Sequence, residues 1–127
     1  MLRHALALAC LLPAVAQAEG IAIELNSLEP QDTACRLVFT ARSDAGVDGL
    51  VLETALFDES GAVVMLTLFD FVDLPAGGLR VRQFDLPAQN CDGIGRILFN
   101  GIDSCEGAGC ADALSVTSRI ADVEVLG

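Results

Sequence analysis

The chain has 127 residues and a formal net charge of −11, set by 18 acidic side chains against seven basic ones. All seven cations are arginines; there is no lysine, tyrosine or tryptophan, and the one histidine is His4. A chain this acidic lacks the basic footprint that phosphate binding needs, which excludes free nucleic acid as a partner and disfavours an anionic membrane surface.

Met1–Ala18 reads as a secretory signal peptide. Arg3 and His4 form a short polar start, the stretch from Ala5 to Ala16 is apolar, and Ala16-Gln17-Ala18 supplies the small-x-small pattern that a signal peptidase accepts. The expectation is a signal peptide helix over residues 1–18, followed by one domain over residues 19–127. Cleavage removes Arg3, the histidine and Cys10. No second run of 18 apolar residues follows, so the expected product has no stable membrane anchor and is periplasmic or secreted.

Four cysteines remain: Cys35, Cys91, Cys105 and Cys110. An even number in a small exported domain reads as two disulfides, for which three pairings exist. Their spacing suits neither a zinc finger nor a zinc ribbon, and no metal or other cofactor is expected.

Periodicity favours strands throughout. Ile21, Ile23 and Leu25 alternate with more polar neighbours in a first strand, ended by Glu29-Pro30-Gln31-Asp32. Cys35, Leu37, Phe39 and Ala41 mark a second. Residues 50–57 form a third, and Asp58-Glu59-Ser60-Gly61 is a hairpin turn returning as a fourth over 62–69. A fifth spans 79–86. A sixth spans 94–100, ending at Asn100-Gly101 before a compact cysteine-containing loop, and a seventh spans 114–120. Val123 and Val125 either extend that strand or form a tail strand. Seven short strands without a convincing helix predict an all-β, two-sheet sandwich. In an immunoglobulin-like order the second and sixth strands run parallel in opposing sheets. Cys35 and Cys91 then lie at one end and pair, leaving Cys105 to close a small loop with Cys110. No tryptophan is available for the antibody-type core, so the expected variant is the fibronectin-III type.

Three segments carry a resemblance: Phe39-Thr40-Ala41-Arg42-Ser43-Asp44, then Ala55-Leu56-Phe57-Asp58-Glu59-Ser60-Gly61, then Leu74-Pro75-Ala76-Gly77-Gly78 with Phe84 beyond. Together they resemble bacterial extracytoplasmic sandwich domains of the FxLYD type, with Phe57 where those carry tyrosine. The resemblance covers residues 35–86 and implies a β-sandwich outside the cytoplasm. The whole chain also resembles small secreted proteins of alphaproteobacteria, which implies export and no particular activity.

The expected product has no histidine, lysine or tyrosine, so it cannot build a Ser-His-Asp triad, a Cys-His pair or a lysine base. An enzyme is therefore not expected; a carboxylate-based hydrolase is the remote alternative. The loop acids Asp44, Asp48, Asp58, Glu59, Asp70, Asp73 and Asp92 are oxygen ligands of the kind calcium takes, although no Asp-x-Asp-x-Asp-Gly loop is present. Two binding surfaces stand out. The fourth strand is apolar on both faces, with Val63, Met65, Phe69 and Phe71 in one phase and Val64, Leu66 and Leu68 in the other. At a sheet edge it would be an interface. Arg36 and Arg42 on the second strand, with Arg80 and Arg82 on the fifth, are expected to gather on one basic sheet face. The function expected from these features is a non-catalytic protein-binding or structural module whose partner is another envelope protein. A calcium- or small-ligand-binding module is the alternative.

Overall fold

A computed structural model describes residues 5–11 and 20–127. Residues 5–11 carry neither helix nor strand, and Leu6, Leu8 and Leu11 are exposed. The rest of the expected signal peptide, with its cleavage site, lies outside the described residues. Among the described residues no helix is long and apolar enough to cross a membrane.

The domain is all-β, two packed sheets of four strands each. In chain order the strands are β1 (Ile21–Pro30), β2 (Ala34–Ser43), β3 (Gly49–Asp58), β4 (Val63–Asp70), β5 (Arg80–Pro87), β6 (Ile94–Glu106), β7 (Leu114–Ser118) and β8 (Glu124–Leu126). One sheet has the order β5-β2-β1-β7 and the other β4-β3-β6-β8. Among the described residues there are eight strands rather than the expected seven. The Ser118 hydroxyl accepts a hydrogen bond from the Ile120 amide at 3.1 Å and turns the chain out of β7. Val123 and Val125 then fall into the core, and the tail crosses to the opposite sheet, where β8 lies parallel to β6. β7 itself lies parallel to β1.

Alternation places the core. Ile21, Ile23 and Leu25 of β1, Cys35, Leu37, Phe39 and Ala41 of β2, and Leu50, Leu52 and Leu56 of β3 all point inward and are buried. Phe39 sits at the centre, its ring 5.8–6.0 Å from those of Phe69, Phe71, Phe84 and Phe99. Most of these contacts are edge-on, the arrangement that aromatic quadrupoles favour. Phe57 alone faces outward, under the Arg96 guanidinium at 5.7 Å.

Both expected disulfides are present. Cys35 and Cys91, 56 residues apart, join β2 of one sheet to the turn that opens β6 of the other, with both side chains buried. Cys105 and Cys110 close a loop at the far end of β6. That strand does not stop at Asn100-Gly101 as expected. Glu53 and Thr54 of β3 face Gly101 and Phe99, so Asn100 is an extra residue in a bulge and its side-chain amide donates to Glu53 at 2.7 Å. A dipeptide that reads as a turn thus bends a continuous strand.

Candidate functional site at the β4 edge

The Asp58–Gly61 turn sets β4 beside β3. The Asp58 carboxylate accepts hydrogen bonds from the Ser60 amide, the Ser60 hydroxyl and the Ala62 amide at 2.6–3.0 Å. These bonds hold its pKa below the ordinary carboxylate value and keep the turn anionic. Among the described residues β4 is the last strand of its sheet and pairs with β3 alone.

Its outward residues are apolar and accessible: Leu66 is 63% exposed, Leu68 53% and Val63 59%. Val64, also exposed, is the extra residue of a bulge, because Leu56 and Phe57 face Met65 and Val63. Register continues an apolar row inward from the edge, through the buried Ala55 and the half-buried Leu98. Leu66 faces Ala55, Ala55 faces Leu98, and Leu98 faces Leu126, so one cross-strand row spans all four strands.

On its other face β4 closes the core. Phe69 is buried and stacks on Phe84 of β5, with ring centres 4.2 Å apart. β4 and β5 belong to different sheets, and their free edges flank an open groove of about 500 Å³ lined by Met65, Thr67, Phe69, Gln83 and Phe84 among others. Four of the residues expected at the interface (Val64, Met65, Leu66 and Leu68) are therefore at least partly accessible. Phe69 and Phe71 are not: both are core residues packed around Phe39. A strand apolar in both phases does not declare which phase is the inner one.

The expected basic face does not form. Arg36 and Arg42 lie on the outer face of β2, where Arg36 makes two bonds to Asp85, at 2.7 and 3.2 Å. This pairing lowers the Asp85 pKa and raises that of Arg36. Arg82 faces the buried Phe39, and Arg80 faces the buried Ala41, so both belong to the inner phase of β5. Arg80 is exposed, whereas Arg82 is partly buried.

Arg82 instead fastens the segment after β4. Its guanidinium donates to the Phe71 carbonyl at 2.7 Å and to the Asp73 carbonyl at 2.7 Å. Between those two carbonyls lies Val72 in the left-handed region, φ +51°, a conformation unfavourable for a β-branched residue. The Val72 amide is held by the Asp70 carboxylate at 2.8 Å. No sequence signal announces this clamp.

Of the remaining loop acids, Asp44 and Asp73 have charged or polar partners. Asp44 accepts from the Gly20 amide at 3.2 Å and lies 3.4 Å from Arg42. Asp92 follows the Asn90 side chain that caps the turn carrying Cys91. Among the described residues no group of three or more His, Cys, Asp or Glu side chains is arranged to hold a metal ion. Disulfide pairing leaves no free thiol in residues 20–127.

No protein-family model matches the chain, and neither the curated proteins nor the solved structures yield a match.

Proposed function

We propose that this chain is a non-catalytic protein-binding module that engages its partner through β4. The observation that carries this reading is a free edge strand whose outward side chains are large, apolar and more than half exposed at Leu66, Leu68 and Val63. Single exposed leucines are ordinary; three large exposed apolar residues together on one free edge are the kind of surface that marks an interaction site. We infer further that the sandwich is immunoglobulin-like, of the fibronectin-III type. Supporting this, β2 and β6 lie in opposing sheets and are joined by Cys35–Cys91. Two disulfides in so small a domain suit an oxidising compartment, and on that basis we place the protein outside the cytoplasm, with an envelope protein as partner.

Affinity capture from the native envelope fraction tests the reading. Wild-type protein retains a specific partner, and Leu66→Glu, which places a charge on an already exposed site, reduces recovery about tenfold or more. A folded Leu66→Glu variant with unchanged recovery overturns the proposal.

A further inference from the structure

Charge decides what kind of segment the β4 edge accepts. From Ala62 to Phe69 the strand carries no charge, but acids stand at both ends: Asp58 and Glu59 in the turn before it, Asp70 and Asp73 after it. Glu53 lies beside Leu68 on the outer face, and Asp85 lines the groove on the other side. The nearby cations are committed and offset part of this charge. Arg36 pairs with Asp85, and Arg82, bound to the carbonyls on either side of Val72, lies 3.9 Å from the Asp73 carboxylate. Among the described residues this leaves Asp58, Glu59 and Asp70 as the end acids without a cation.

A second copy of this chain is a poor occupant. Antiparallel pairing of β4 with itself about a twofold axis sets the Asp58-Glu59 end of one copy against the Asp70-Asp73 end of the other. Acid then meets acid at both ends, between two molecules that each carry −11. A basic partner reverses the sign of those contacts.

Resting on the reading of β4 as the binding edge, we propose that the ligand is an extended segment of a partner protein that adds to β4 as a further strand. Its central residues alternate apolar side chains, and lysines or arginines flank them. Strand addition satisfies the free backbone groups of the edge. One phase of the added strand extends the Leu66–Leu68 surface. The other drops into the groove over Met65 and Phe84. The flanking cations meet Asp58 and Glu59 at one end and Asp70 and Asp73 at the other.

Two synthetic peptides test this, each with an alternating valine–threonine centre, one flanked by lysines and one by glutamates. Each is titrated into the disulfide-bonded protein while backbone amide signals and hydrogen exchange are followed. The lysine-flanked peptide is expected to protect amides of residues 63–69 and to bind about tenfold or more tighter than its counterpart. Its affinity should fall severalfold between about 20 and about 300 mM salt and in a Glu59→Gln, Asp73→Asn variant. Equal binding of the two peptides overturns the charge preference. Absence of binding by both, or protection elsewhere than β4, overturns strand addition and leaves the acids as guards against edge pairing. If Leu66→Glu still abolishes partner capture in those cases, the β4 reading stands and only the nature of the ligand is wrong.

Discussion

Val72 shows how one residue can be held against its own preference. Its φ of +51° is stabilised from three sides: Phe71 is anchored in the core, the Asp70 carboxylate takes the Val72 amide, and Arg82 bridges the flanking carbonyls. Asparagine tolerates the left-handed region far better than a β-branched residue, and Val72 is exposed, so little burial is lost on replacement. Val72→Asn is expected to raise the unfolding free energy by about 1 kcal/mol, read from urea denaturation. A decrease would mean that the valine side chain contributes a contact outweighing its backbone strain. Arg82 also shows why residue type alone misleads. On an acidic chain an arginine reads as a partner contact, whereas here its donors are consumed by carbonyls of its own chain.

At the scale of elements, turns were legible where the chemistry was local. Asp58-Glu59-Ser60-Gly61 makes a hairpin because Asp58 caps it through its own backbone neighbours, and that much is written in four residues. Asn100-Gly101 carries an equally plausible turn signal but lies in a bulge, because β3 continues alongside and supplies pairing partners out to Glu106. Tertiary pairing overrode local propensity. The phase of β4 and β5 was illegible for a related reason. Both phases of β4 are apolar, and β5 mixes Arg80 and Arg82 with Phe84 and Leu86 in one phase, so the inner face is fixed only by what the opposite sheet covers. The extension of β6 ends in the loop closed by Cys105 and Cys110, which docks against the chain after β2 through Gly109. Its amide donates to the Gly46 carbonyl at 2.8 Å. A β-carbon on Gly109 would collide with the Ser43 hydroxyl and come within 2.9 Å of that carbonyl and 3.0 Å of Val47. Gly109→Ala is expected to cost about 1–3 kcal/mol and to make residues 105–111 easier to cleave in limited proteolysis. Unchanged stability and cleavage would show that the loop docks loosely.

At the scale of the whole molecule, the two-sheet class and both cysteine pairs followed from alternation and spacing, which report global packing through simple periods. Most of the division into sheets β5-β2-β1-β7 and β4-β3-β6-β8 followed as well, with β4 at an edge and β5 beside β2. The path of the tail did not, because the short last strand changes sheets at a turn with no strong signal. The two disulfides should contribute unequally. Cys35–Cys91 constrains a long loop and Cys105–Cys110 a short one. The double replacement Cys35→Ala, Cys91→Ala should lower stability by about 3–4 kcal/mol, and the corresponding Cys105, Cys110 pair by less. The reverse order in urea unfolding would show that the long bridge restricts little in the unfolded chain. The tail has one more consequence, in time rather than in space. β7 pairs with β1, joining Leu114 to Ile21, and β8 pairs with β6. Residues 114–126 thus complete one sheet and then the other. A chain still emerging, whether from the ribosome or through a membrane pore, leaves both β1 and β6 with an open side until that stretch is free. The β1–β7 pairing spans most of the domain in sequence, and contacts so distant are slow to form, so β1 keeps an open side, accessible to a chaperone, until residues 114–118 are free.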